Sequence, residues 1–147
     1  MQNAWLFSGG VLSAVAALLH IGCIFGGPSW YRFFGAGEQM ARMAERGSPT
    51  PAISAGFIAA ILFVWSAYAF SGAGLLPRAP LLRIGLVVIC GIYLLRAFAF
   101  PLMLIYLPGR SASFIAWSSA IVLIYGVVHL IGLWSGWTRL APPSGLR

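Results

Sequence analysis

The sequence predicts an all-α integral membrane protein, a four-helix bundle formed by a single domain over residues 1–147. Three observations support this prediction. Apolar residues make up 61% of the 147 positions. They are concentrated in four runs. Each run is long enough to cross a bilayer as a helix, which takes about 20 residues. Charged residues are only 7% of the chain, whereas soluble domains carry about 25%.

This composition excludes several other classes of protein. A cytosolic enzyme, a disordered chain and a disulfide-rich secreted module would all need more polar surface or more cysteine than the sequence contains. The net charge of +7 comes from nine arginines and two glutamates. Because these arginines form no basic patch interleaved with polar surface, no nucleic-acid partner is predicted.

The predicted spans cover residues 4–27, 52–71, 81–107 and 112–137. Backbone polar groups find no water partner in lipid, so each span must be helical. The first is interpreted as a span rather than a cleaved signal, because no basic residue precedes it and its apolar run is too long. The short links 72–80 and 108–111 then force the second, third and fourth spans into antiparallel hairpins.

The 28–51 loop predicts a short amphipathic helix between the first and second spans. Glu38 and Arg42 are spaced i,i+4, with the acid first, which suits the helix dipole. Gly47 is a natural helix stop. We expect this helix to lie on the membrane or over the mouth of the bundle, and a simple linker is equally compatible with the pattern.

Arg96 is the anomaly of the third span. An arginine near the bilayer centre costs on the order of 3 kcal/mol, so it usually faces a cavity, a partner or a substrate. Its candidate partners are Glu38 or Glu45 folded down from the loop, carbonyls freed near Pro101, water, or an anionic headgroup. Alternatively, Pro101 ends or kinks the span, and Arg96 reaches the interface from about one turn away.

Depth along the helices indicates which polar residues can meet. At about 1.5 Å per residue, His20 lies about 24 Å and Arg96 about 22 Å from the end that carries the termini. Ser118 and Ser119 come out at a similar depth, and Glu38 could reach down from the loop. Tyr93 is included, although packing between helices explains it equally well. The predicted ligand-binding set is therefore Arg96, His20, Ser118, Ser119, Glu38 and Tyr93.

The same arithmetic argues against several chemistries. His20 and His129 differ by about 12 Å in depth, so they cannot hold one haem between them. Cys23 and Cys90 are about 15 Å apart along the membrane normal, too far for a disulfide. The sequence has no metal-binding motif, no phosphate-binding glycine loop and no acid within a span for a catalytic triad. No catalytic residue, metal or cofactor is predicted.

Short motifs resemble those of small bacterial membrane proteins. They are Leu-Leu-His-Ile-Gly from residue 18, Gly-Ala-Gly-Glu from residue 35 and Tyr-Leu-Leu-Arg from residue 93. These motifs resemble uncharacterised bacterial families, and the four-span layout is similar to that of DoxX-like proteins. The resemblance implies a multi-pass protein of the bacterial inner membrane and transfers no catalytic residue.

The arginines are divided equally between the two sides of the membrane, so their number does not decide the orientation. The side that carries the termini has Arg78, Arg83, Arg139 and Arg147, and the opposite side has Arg32, Arg42, Arg46 and Arg110. The positive-inside rule counts bases, and these counts are equal. Both glutamates lie on the side of the 28–51 loop, and we expect the termini in the cytoplasm.

The leading functional hypothesis is binding of an anionic lipid or quinone-like amphiphile in an outward-facing pocket within the bundle. Membrane lipids are the expected partners, with a homo-oligomer or a complex partner as a further possibility. One alternative is a small proton-linked transporter in which His20 and Glu38 carry protons. A second is a non-catalytic subunit of a membrane complex. A lipid-modifying enzyme is least favoured, because the sequence offers no nucleophile–base pair.

Overall fold

The computed structural model describes residues 2–106 and 112–141, and every regular element in these ranges is a helix. The predicted all-α class is therefore confirmed. The predicted link 108–111 lies outside the described residues, as do Leu107 and two of the arginines counted above, Arg110 and Arg147. The helices are α1 (Ala4–Phe33), α2 (Glu38–Glu45), α3 (Thr50–Ala73), α4 (Leu82–Phe98), α5 (Phe100–Tyr106) and α6 (Ala112–Gly136).

Three of these helices, α1, α3 and α6, are long and apolar enough to cross a membrane. Helices α4 and α5 pass the same test together, although they meet at an angle of 56°. The bend lies next to Pro101, where a kink was one of the alternatives that the sequence offered. Pro101 is the second residue of α5, and it cannot donate a backbone hydrogen bond to the preceding turn. The chain is thus compatible with a multi-pass membrane protein.

The first helix runs past its predicted end at residue 27. It breaks at Gly27, whose φ of 63° and ψ of −149° are not helical, and then continues to Phe33. Glycine adopts this conformation without steric cost, and the fixed φ of Pro28 suits the first turn that follows. The Trp30 ring lies so close to Gly26 that an added Cβ atom would collide with it. Gly27 therefore forms an elbow between the long helix and the first loop.

The long helices form a closed ring in the order α1, α3, α4 and α6. Helix α1 packs on α3 and α6, and α4 packs on the same two helices, so α1 and α4 face each other diagonally. Small residues allow close approach: a Cβ atom at Gly9 would meet the His129 ring at 2.8 Å, and one at Gly132 would meet Leu6 at 2.7 Å. The core is therefore shared by all four helices.

The bundle has two ends, which differ in the parts of the chain that form them. The terminal end contains the beginnings of α1 and α4 and the last turns of α3 and α6, and Asn3 ties it together by donating to the Gly132 carbonyl at 2.8 Å. The first-loop end contains the elbow of α1 and the short helix α2. The predicted amphipathic helix is confirmed, since α2 ends shortly before Gly47. Its Ala41 is fully buried against Cys23 and Ala55.

Candidate functional site

The candidate site is centred on Arg96, in the last turn of α4 near the first-loop end. Its guanidinium Nη1 donates to Ser119 Oγ at 3.2 Å and its Nη2 to Ser118 Oγ at 3.3 Å. Ser119 is buried, whereas Arg96 and Ser118 are half-buried. The structure therefore brings together three of the predicted site residues, on the two helices where depth placed them.

The two glutamates of the chain lie elsewhere and pair with other arginines. Glu38 accepts from Arg32 Nε at 2.8 Å and from Arg42 Nε at 3.1 Å, and Glu45 pairs with Arg32 at 2.8 Å. The hydrogen bonds from Arg32 and Arg42 lower the pKa of Glu38 to about 2. Glu38 thus belongs to an exposed network in the first loop. The two serine hydroxyls orient the Arg96 guanidinium.

The first loop, residues 28–51, contacts the beginning of α6 next to the site. A Cβ atom at Gly35 would collide with the ring of Phe114, so the loop backbone touches this ring directly. Gly35 has a φ of +68°, a conformation that favours glycine. Phe114 precedes Ser118 by about one helical turn. The loop therefore crosses the beginning of α6 next to the serines that bind Arg96.

The side of the site that faces α5 is apolar. Helix α5 has no buried residue, and it bends away from α4 by 56°. Leu102, Ile105 and Tyr106 are all exposed along it. A charged group at the end of α4 is thus adjacent to an apolar helix that is not packed into the core.

His20 is satisfied within its own helix. Its Nδ1 lies 2.7 Å from the carbonyl oxygen of Ala16, and the side chain is half-buried. The transporter hypothesis needed His20 and Glu38 as proton carriers. In the described residues, His20 bonds to its own helix and Glu38 to arginines of the loop, so nothing in their contacts favours a proton path.

Tyr93 lies at the centre of the ring of helices. Its hydroxyl is 2.9 Å from Ser13 Oγ on the diagonal helix α1. Its ring lies 4.9 Å from that of Trp65 on α3, and 5.5 Å and 5.2 Å from those of Tyr125 and His129 on α6. From α4, the side chain of Tyr93 thus contacts the other three long helices. These five residues are called the central layer below, and they support the packing interpretation of Tyr93.

His129 is fully buried in this layer. Its Nδ1 lies 2.8 Å from the carbonyl oxygen of Tyr125, one turn earlier in α6, which favours the Nδ1–H tautomer. Its Nε2 has no hydrogen-bond partner among the described residues. The ring packs flat against Gly9. His129 is therefore a packing residue of the central layer.

Sequence reasoning missed three polar residues that organise the structure. Ser13 bonds Tyr93 across 80 positions of the sequence, Arg32 reaches both glutamates, and Arg78 donates to carbonyls that follow the end of α6. Ser13 is four residues from both Gly9 and Ala17, a spacing that permits close helix packing but does not reveal the partner of Ser13. Arg32 reaches Glu45 only because the chain reverses between them, and local spacing does not show this reversal.

Among the clefts on the described part of the chain, two show where the surface is open. One, of about 290 Å³, lies at the terminal end between the beginning of α1 and the ends of α3 and α6. The other, of about 430 Å³, lies along α2 and is lined by Glu38 and Arg42. Neither is lined by Arg96. The described residues hold no group of three or more His, Cys, Asp or Glu side chains placed to bind a metal ion, and both cysteines are free thiols.

No protein-family model matches the chain, and neither does a curated protein or a solved structure. The likeness to DoxX-like proteins stays a prediction from short motifs and layout. Function must therefore be inferred from the contacts of the side chains themselves.

Proposed function

We propose that this is a four-span membrane protein, with α4 and α5 as one broken span, that binds an anionic amphiphile beside Arg96. The ligand is a lipid or a quinone-like molecule, held close to the first-loop end. The observation that carries the proposal is the position of Arg96: from the last turn of α4 its guanidinium donates to Ser118 and Ser119 of α6, next to the exposed apolar helix α5.

The energetic argument starts from the cost of the charge. Placing an arginine side chain in a bilayer costs on the order of 3 kcal/mol at the centre and less towards the interface. The hydroxyls of Ser118 and Ser119 hold the guanidinium in place. A phosphate or carboxylate would balance it, because a guanidinium presents five N–H donors in a fork that matches these anions. An anionic headgroup is therefore the ligand whose chemistry answers this side chain best.

The surroundings suit an amphiphile better than a small polar anion. The exposed apolar side chains of α5, such as Leu102 and Ile105, would contact an acyl or isoprenoid tail. The loop contact between Gly35 and Phe114 would cover the headgroup. Entry would be lateral, from the membrane, at the bend between α4 and α5. The ligand would thus lie beside Arg96 on the lipid-facing side of the bundle, because the central layer of Tyr93 is already filled by packed rings.

We further propose a location and orientation. The resemblance to DoxX-like proteins supports the bacterial inner membrane. With four spans, both termini share one side, and each end carries three arginines among the described residues. Both glutamates lie at the first-loop end, which supports placing that end outside and the termini in the cytoplasm. Labelling of a cysteine introduced at Arg46, in a chain without Cys23 and Cys90, by an impermeant reagent would test this orientation.

Native mass spectrometry of the detergent-solubilised protein tests the binding proposal. Phosphatidylglycerol is titrated into the wild type, Arg96→Gln and the double variant Ser118→Ala with Ser119→Ala. We expect Arg96→Gln to lower affinity for one bound lipid by about tenfold, the effect of losing one charge-assisted contact. The serine variant should have a smaller effect, because it removes the groups that orient the guanidinium but keeps its charge.

Two controls make the result specific. Arg46→Gln removes the same charge from the exposed loop and should leave binding unchanged. Ser8→Ala removes a hydroxyl that donates only to its own helix, at Ala4, and is the matched control for the serines. Circular dichroism must show equal helix content in all variants. Equal lipid retention by the wild type and Arg96→Gln would overturn the proposal.

A further inference from the structure

We propose that helix α2 is a hinged lid, held closed by the ion pairs of Arg32, and that it opens to expose the buried Cys23 thiol when ionic strength rises. The helix has eight residues and packs on α1 and α3 at the first-loop end. The proposal uses contacts within the first loop and with the helices beneath it. It does not rest on the function proposed for Arg96.

One guanidinium is shared between the two ends of α2. Arg32, in the last turn of α1, donates from Nε to Glu38 at 2.8 Å and from Nη2 to Glu45 at 2.8 Å. Glu38 is the first residue of α2 and Glu45 is the last, so a single side chain ties both ends of the helix to α1. All three side chains are exposed, and salt weakens ion pairs that water reaches.

The apolar contact beneath α2 is small. Of its eight residues only Ala41 is buried, and it packs against Cys23, Tyr31 and Ala55. Three other residues of the helix are half-buried and the remaining four are exposed. An alanine contributes one methyl group to such a contact, and so short a helix is marginal on its own. The closed position of α2 therefore depends on its ion pairs.

The closed position also leaves a polar group unsatisfied. The Tyr31 side chain is buried, and its hydroxyl has no hydrogen-bond partner among the described residues. A buried hydroxyl without a partner is unfavourable, because it has lost its bonds to water. Opening of α2 would let water reach this hydroxyl and the Cys23 thiol of the same cluster. The ion pairs thus favour the closed position and hydration of Tyr31 favours the open one, so salt shifts the balance towards opening.

Glycines on both sides of α2 provide the hinges. Gly37 precedes the helix with a φ of 99°, and Gly47 follows it with a φ of 74°. Glycine has no Cβ atom and changes its backbone angles with little steric cost. A Cβ atom added at Gly47 would meet nothing within 4 Å, so the chain is not crowded at this hinge. Loop residues at the ends of an element commonly absorb the change in φ and ψ when that element moves.

The rate at which Cys23 reacts with N-ethylmaleimide measures opening, because a buried thiol must be exposed before it reacts. The parent is the Cys90→Ala protein in detergent micelles, in which Cys23 is the remaining thiol. We expect Arg32→Gln to raise the rate about fivefold, the effect of losing two exposed ion pairs. Sodium chloride at about 1 M should raise the rate of the parent but not that of Arg32→Gln. Arg46→Gln removes the same charge from the residue that follows α2 and should leave the rate unchanged.

Cys90 separates opening of the lid from unfolding of the bundle. It lies in the core, with its Sγ 3.5 Å from the carbonyl oxygen of Gly126. In a Cys23→Ala protein, Arg32→Gln should therefore leave the labelling of Cys90 unchanged. Ala41→Leu overfills the contact beneath α2 while keeping the ion pairs, and it should speed the labelling of Cys23 alone. The proposal is overturned if either variant labels Cys23 no faster than the parent, or if the labelling of Cys90 rises equally.

Discussion

In the central layer, Tyr93 and Ser13 are buried and uncharged, and they bond each other between diagonal helices. In the first loop, Arg32 and Glu38 are charged, and their side chains are 40% and 47% exposed. Both regions join different helices through polar groups, α1 with α4 in the central layer and α1 with α2 in the first loop. Packing around the central layer excludes solvent, so removing a group there costs packing and a hydrogen bond together. Water and salt compensate for a lost ion pair in the loop.

The largest effect is expected from emptying the central layer. Tyr93→Ala would remove a ring that contacts Trp65, Tyr125 and His129, and we expect it to lower the free energy of unfolding by about 3 kcal/mol. Tyr106→Ala is the control, since Tyr106 is 74% exposed, and should change stability by less than about 0.5 kcal/mol. Unfolding in mixed micelles of dodecyl sulfate, followed by circular dichroism, measures both. Equal losses would show that the layer is not the centre of stability.

Overfilling the same layer is expected to cost less. Gly9→Ala would place a Cβ atom 2.8 Å from the buried His129 ring, which must shift, and we expect a loss of about 2 kcal/mol. Gly91→Ala is a matched control, because a Cβ atom there meets nothing within 4 Å. Helix propensity alone favours alanine by about 1 kcal/mol, so Gly91→Ala should be neutral or stabilising. A stabilised Gly9→Ala would contradict close packing between α1 and α6.

The hydrogen bond in the layer is expected to contribute less than the ring. Tyr93→Phe keeps the ring and removes the hydroxyl that meets Ser13, and interhelical hydrogen bonds in membrane proteins contribute about 0.6 kcal/mol on average. A double-mutant cycle with Ser13→Ala isolates this contribution, measured in the same unfolding assay. A coupling energy of zero would mean that the two hydroxyls are merely neighbours.

The two regions also differ in how far the sequence could predict them. Apolar runs determine the long helices, and the i,i+4 pair of Glu38 and Arg42 with Gly47 determines α2, because these signals are local. Depth arithmetic placed Arg96 beside Ser118 and Ser119, because rise per residue is constant along a helix. The bond between Tyr93 and Ser13 depends on which helices lie diagonally, which no periodicity specifies. The pair Arg32–Glu45 depends on the turn between α1 and α2, and the 56° bend on how α5 leaves the bundle.

The smallest effect is expected in the first loop, and it depends on pH. The hydrogen bonds from Arg32 and Arg42 lower the pKa of Glu38 to about 2, from an ordinary value of 4.5. A lowered carboxyl pKa means that the unfolded chain binds more protons between these two values, so stability should rise with pH across that window and be constant above it. Glu38→Gln should remove this slope, and about 1 M salt should reduce it in the wild type, because the pairs are exposed. Unfolding between pH 2.5 and 6 compares the wild type, Glu38→Gln and the charge control Arg46→Gln. Parallel curves for the wild type and Glu38→Gln would show that the loop network does not contribute to stability. Of the two regions, only the central layer would then stabilise the fold.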